Sequence, residues 1–170
     1  GIGAAISVSE ATVYGRGPDV KAIDFLFRTK RALNEGGSLP DIVRDELKKY
    51  RGIAGYARPF VNDDERIKPV TELAVSLGYG DGAHLRIAYE VENTLLKLRY
   101  RIRMNAAALG AALAADQGLS CYEYYLFLTP AFIGGMFPCY IEAAEKDEGT
   151  FLPLSCNRIE YFGKAPRSWD

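Results

Sequence analysis

Helical periodicity runs through nearly the whole of this 170-residue chain and predicts an all-α protein. Three observations carry that expectation. Apolar residues recur at i, i+3, i+4 in "DVKAIDFLFRTKRAL", "IKPVTELAVSLG" and "GAHLRIAYEVENTLLKL". Glycine and proline breaks separate these segments. No stretch alternates apolar and polar residues convincingly; only "RIEYF" (158–162) is compatible with a strand.

The elements follow in order. Residues 3–14 are rich in alanine and small apolar residues, and "GRGP" (15–18) breaks them. Asp19 reads as the N-cap of the next helix, which places Val20, Ile23, Phe27 and Phe25 on an apolar face and ends at "NEGG". Ser38 caps "LPDIVRDELKKY", with Pro40 in the first turn, where its missing N–H costs little. "GYGDG" (78–82) divides the next two helices. "MNAAALGAALAADQG" is a tightly packing helix of small residues ending at Gly118, and Ser120 with Glu123 is a capping box that opens another. Beyond Lys146 the chain reads as irregular.

"YYLFLTPAFIGGMFPCYI" (124–141) carries no charge and is about as long as a minimal bilayer span. Pro130, Pro138, the Gly134–Gly135 pair and the absence of basic flanks favour instead a buried helix pair in a core or subunit interface. No membrane association is expected.

Bulk composition narrows the function. The chain is 48% hydrophobic and 25% charged, a globular mix. A net charge of -1 gives no electrostatic reason for a nucleic-acid partner. Cys121, Cys139 and Cys156 form no CxxC, so neither a disulfide framework nor a zinc site is expected, and a reducing cytoplasm is the default. His84 is the sole histidine, which excludes mechanisms requiring two imidazoles. The N-terminus lacks a secretory signal and starts inside a helix-like pattern, as if cut from something larger.

Two charged stretches invite a functional reading. In "GYARPFVNDDERIKPV" (55–70), Arg58 and Arg66 flank Asp63, Asp64 and Glu65. Either the arginines pair with these acids to close a turn, or they grip an anion. In "KLRYRIR" (97–103), Lys97, Arg99, Arg101 and Arg103 face either solvent or a phosphate-bearing ligand.

The order of these features resembles the C-terminal half of citrate synthases and citryl-CoA lyases. Those chains carry a Gly-aromatic-Gly-His loop, an Asp-Pro-Arg motif, an Asn-Val-Asp segment and a long apolar helix. Here "GYARPF", "DER", "MNAAALG" and "YYLFLTPAFIGGMF" occupy the corresponding places, and "GIGAA" looks like the continuation of the family's His-Gly-Gly-Ala loop. The resemblance implies a citrate-synthase-like helical fold. Residues 1–104 would form the small domain that closes over substrate, and 105–170 the C-terminal return to the large domain.

The family enolises an acetyl-CoA thioester with one Asp and two His, and the enolate attacks a keto acid. Carried over, the two histidines fall on Ile2 and Arg58 and the aspartate on Ala107. Two citrate-binding arginines fall on Ala131 and Leu152, and only Arg66 matches. Nothing near Ala107 offers an acid: the nearest, Asp116, is more than two helical turns away. The resemblance therefore implies an acyl-CoA or citrate-type carboxylate site with the standard condensation lost or altered, and assigns no catalytic residue. Arg58 and Arg66 would bind substrate; Gly52, Ile53, Ala54, Gly55, Arg101 and Arg103 would meet coenzyme A. No tightly bound cofactor is implied, a CoA ester being substrate or ligand.

Two other functions stand beside it. The chain could be a non-catalytic structural or regulatory subunit docking through its apolar C-terminal helix. It could also be a lyase or hydrolase with Asp64 or Glu65 as base, although adjacent arginines should lower those pKa values. The expected partner is a second copy or a different chain supplying the large domain's N-terminal part.

Overall fold

The computed structural model describes residues 1–11, 15–58, 63–147 and 162–163, to which all structural statements apply. They form seven helices: α1 (Ile2–Val8), α2 (Arg16–Asn34), α3 (Leu39–Tyr50), α4 (Ile67–Ser76), α5 (Ala83–Lys97), α6 (Ala106–Asp116) and α7 (Cys121–Ala144). The all-α expectation is met. The β feature among the described residues is an isolated antiparallel bridge between Tyr56 and Met104. Of "RIEYF", all but Phe162 lies outside the described residues.

Helix α6 is the hub, packing against α2, α5 and α4. Its alanines explain why. Ala108, Ala111, Ala112, Ala114 and Ala115 are buried with Leu109, so apolar atoms face neighbours on almost every side. Methyl-sized side chains let α2 and α5 approach closely, and those helices contribute the bulk. Ala22, Ile23, Phe25 and Leu26 come from α2; Leu85, Ile87, Ala88, Val91 and Leu95 come from α5. Val43 of α3 and Tyr124 and Leu128 of α7 complete one continuous apolar cluster.

The predicted starts of α3 and α7 are observed. Ser38 is the N-cap of α3, with Pro40 in its first turn. Ser120 and Glu123 form the reciprocal capping box of α7.

Two expectations are corrected. "GRGP" opens a helix instead of breaking one: Gly15 is the N-cap of α2, and Asp19 lies within its first turn. The reason is Arg16, whose buried guanidinium bonds Glu10 and Thr129 and lies 4.6 Å from the Tyr125 ring centroid. The Arg16 amide also donates to the Ser9 carbonyl at 2.8 Å. These contacts fix the start of α2 upstream of Asp19, and Pro18 is tolerated because the first turn needs no donor.

The second correction concerns α7. It is one continuous helix through Pro130 and Pro138, and the residues it buries are Tyr124 and Leu128. Phe127, Phe137, Tyr140 and Ile141 are each about half exposed or more. The packing partners of α7 are α2 and the short α1, too little surface to cover 24 residues. Among the described helices, α7 alone is long and apolar enough to cross a membrane by length and composition.

His84 has the structural role that its place in a helix suggests. The Asp116 carboxylate, at the end of α6, accepts from the His84 and Leu85 amides at 2.8 and 2.9 Å and lies 2.8 Å from His84 Nδ1. Burial pushes this carboxyl up; the amides and the imidazole outweigh it and leave it below its ordinary range. A side chain at Gly82 would collide with Asp116, so glycine is required where the two helix ends meet. Asp116→Ala strips the cap from α5 and the partner from a buried ring. The expected loss is about 2–4 kcal/mol of unfolding free energy in urea denaturation; a loss below about 0.5 kcal/mol would refute this role.

Candidate functional site

A cleft of about 1000 Å³ opens where three segments meet: the N-terminus of α2, the N-terminus of α6, and the chain from Ile53 to Arg58. That volume suits an organic ligand of cofactor size. Arg66, at the N-cap of α4, lines it as well.

The 53–58 segment is held by backbone pairing. The Ala57 amide donates to the Arg103 carbonyl at 2.8 Å, and the Asn105 amide to the Gly55 carbonyl at 2.9 Å. Asn105 Nδ2 donates to the Ala57 carbonyl at 2.7 Å, while Asn105 Oδ1 caps α6 through the Ala107 amide. Beneath the loop, the buried Tyr56 hydroxyl donates to the Ala88 carbonyl at 2.9 Å. Gly55 has φ +87°, and a Cβ there would lie 2.5 Å from Ala108 Cβ. Ala57 has φ +79° without being glycine, a costly conformation in a cleft-lining residue.

Asp64 ties this loop to α4 and α6. Its side chain is fully buried. Oδ1 accepts from the Arg66 amide at 3.1 Å and Arg66 Nε at 2.8 Å; Oδ2 accepts from Arg66 Nη2 at 2.7 Å and the Ala106 amide at 2.8 Å. Led by the Arg66 guanidinium, these donors overcome burial and hold the carboxyl at about 2. Arg58 pairs with Glu65 and lies 3.5 Å from Asp64, and Arg103 pairs with Asp63 at 2.9 Å. The turn-closing reading of the acidic loop is therefore realised, and Arg58 and Arg66 line the cleft at the same time.

Of the residues singled out from sequence, Ile53, Ala54, Gly55, Arg58, Arg66 and Ala107 line the cleft. Gly52 precedes it, with open space where a Cβ would stand. Arg101 is exposed, and it and Arg103 lie outside the lining. Ile2 and Ala131 line a separate apolar groove of about 630 Å³ between α1 and α7, and Leu152 lies outside the described residues.

The expectation of no acid near Ala107 is wrong. Asp64 bonds the adjacent Ala106 amide, and Asp19 shares the cleft with Ala107. Distance along α6 misses both, because they arrive from other segments. Burial pushes the Asp19 carboxyl up to about 6, against its own amide and the charge of Arg66. Gly15, Pro18, Asn105 and Phe132 were also missed. The available signal was an acid in the first turn after a glycine-rich helix start.

The Asp64 interaction gives a pH dependence. Its folded pKa is depressed, so its stabilisation is complete above the ordinary carboxylate range and lost as pH falls through about 2. Asp64→Asn is expected to cost roughly 1–3 kcal/mol at pH 7 by urea denaturation. That penalty should shrink steadily below pH 4; a penalty unchanged at pH 2 would be the contrary result.

No family model matches the chain, and no curated protein does. A solved structure is similar: citryl-CoA lyase from Hydrogenobacter thermophilus, with a TM-score of 0.65 and 20% sequence identity. The match covers 100% of this chain and 67% of that one. The chain thus has the all-α, citrate-synthase-like fold that the order of its motifs predicts.

Proposed function

We propose that the cleft binds a CoA ester or a citrate-type di- or tricarboxylate, and that the condensation typical of citrate synthases is lost or altered in this chain. The observation that carries this reading is the pair of arginines, Arg58 and Arg66, among the residues lining a cleft of about 1000 Å³. Arg66 keeps an exposed side chain although two of its nitrogens bond Asp64. Its remaining donor is suited to a ligand carboxylate.

The altered chemistry follows from the side chains in place. Arg58 stands where the family has an imidazole; it can stabilise an oxyanion but stays protonated and cannot shuttle a proton. Ala107 carries no carboxylate. His84 is buried and bound to Asp116, and its position in the first turn of α5 is not part of the cleft. Asp64, held at about 2, is a poor base, and Glu65 is exposed, paired with Arg58 and also lowered. The lyase or hydrolase reading based on either acid is therefore disfavoured. In the proposed arrangement, residues 1–104 act as the closing domain and 105–170 belong with the large domain. A second copy or a companion chain completes the assembly in the cytoplasm.

Titration calorimetry with CoA, acetyl-CoA and citrate tests the site. Arg66→Gln is expected to weaken citrate binding roughly tenfold to a hundredfold, the worth of a charge-assisted pair. Arg66→Lys should recover only part of that, because charge returns without the planar fork. Absence of heat with all three ligands would remove the proposal.

A second reading has its own support. The exposed aromatic and aliphatic face of α7 suits a structural or regulatory subunit docked to another chain. Light scattering should then report an assembly larger than the 18.8 kDa chain; a stable monomer would argue against docking.

A further inference from the structure

We propose that the apolar groove between α1 and α7 receives the hydrocarbon tail of a CoA ester whose polar end lies in the cleft, so that the protein prefers medium-chain or longer acyl groups to acetyl. This rests on the ligand reading above and assigns the substrate class.

Two cavities of opposite chemistry share one wall. The cleft is lined by Arg58, Arg66 and the 53–58 segment, whereas none of the described residues lining the groove of about 630 Å³ has a charged side chain. Phe132 belongs to both linings. It is partly buried and packed against the core, which fixes the wall between the two spaces. A ligand with a polar head and an apolar tail matches this pairing, while citrate or free CoA matches only the polar side.

Helix α7 gives the groove its length and small residues give it room. Phe132, Gly135, Met136 and Tyr140 come from successive turns of α7, and Ile2 and Ala5 come from α1. The α7 lining, from residue 131 to 140, runs roughly 13 Å along the helix. A side chain at Gly135 would meet nothing within 4 Å, so the space beside it is open. Met136 is unbranched and adapts to irregular volumes, as tails of different length require.

The same geometry argues for a tail over a helix of another chain. Helices α1 and α7 are packed on each other, and the groove between them suits an alkyl chain better than a third helix about 10 Å across. Tyr140 is half exposed, so an apolar tail would remove apolar surface from water on both sides of the contact.

Titration calorimetry with acetyl-, butyryl-, octanoyl-, dodecanoyl- and palmitoyl-CoA tests the groove. Affinity should rise about two- to fourfold for each methylene buried and level off once the groove is full. Gly135→Leu fills the open space and removes a glycine from a helix interior, so the variant should fold normally. It should weaken dodecanoyl-CoA binding roughly tenfold or more while acetyl-CoA binding changes less than about threefold. Cys139, a residue of the lining, supplies the location: its alkylation by iodoacetamide, followed by peptide mass mapping, should slow with dodecanoyl-CoA and not with acetyl-CoA. Equal affinity along the series, an unchanged preference in Gly135→Leu, or free dodecanoate binding as tightly as its CoA ester overturns the tail site and leaves the cleft reading standing. An altered assembly size for Gly135→Leu in light scattering, with the chain-length series unaltered, overturns it in favour of a chain–chain contact. Failure of every ester, CoA and citrate to bind overturns the ligand reading, and the tail site with it.

Discussion

The buried carboxylate of Asp64 organises the site. It faces the first amide of α6 and the guanidinium of Arg66 together, which joins a surface loop, the start of α4 and the central helix. A buried charge is tolerable only when its hydrogen-bonding capacity is filled, and four donors fill it here. Without that junction, nothing comparable would hold Arg66 against the N-terminus of α6. The cleft would lose one wall. The strained backbone at Ala57 belongs to the same construction, because its amide and carbonyl are committed to residues just before α6.

Much of the fold was legible because it is written locally. The starts of α3 and α7 are set by caps and a proline that act within a few residues, so "LPDIVRDELKKY" and the Ser120–Glu123 box announce where their helices begin. The start of α2 was misread because its determinant is tertiary. Arg16 is anchored by Thr129, more than a hundred positions away, and no local pattern announces that contact. The capacity of α7 to stay helical through two prolines was hidden for a related reason: exposed carbonyls in a long helix tolerate a missing donor more easily than buried ones.

The candidate site was legible in its arginines and its loop, and not in its acids. Arg58, Arg66 and the 53–55 backbone are adjacent in the chain and keep a recognisable order. Asp19 reaches the cleft only after α2 packs against α6, and its first-turn position reads equally well as a generic helix-dipole partner. Asp64 looked like one of three equivalent loop acids. Burial alone separates them: its side chain is closed to solvent, while Asp63 and Glu65 are exposed.

These two aspartates also explain each other. Both feel Arg66, yet one carboxyl is held at about 2 and the other raised to about 6. Geometry decides between them. Arg66 directs Nε and Nη2 at Asp64 in a fork, the arrangement in which a guanidinium stabilises a carboxylate best. What Asp19 receives is a longer-range attraction from a cation already paired, too weak to offset its loss of water. Burial therefore decides the proton affinity of Asp19, and its own amide and Arg66 offset only part of it.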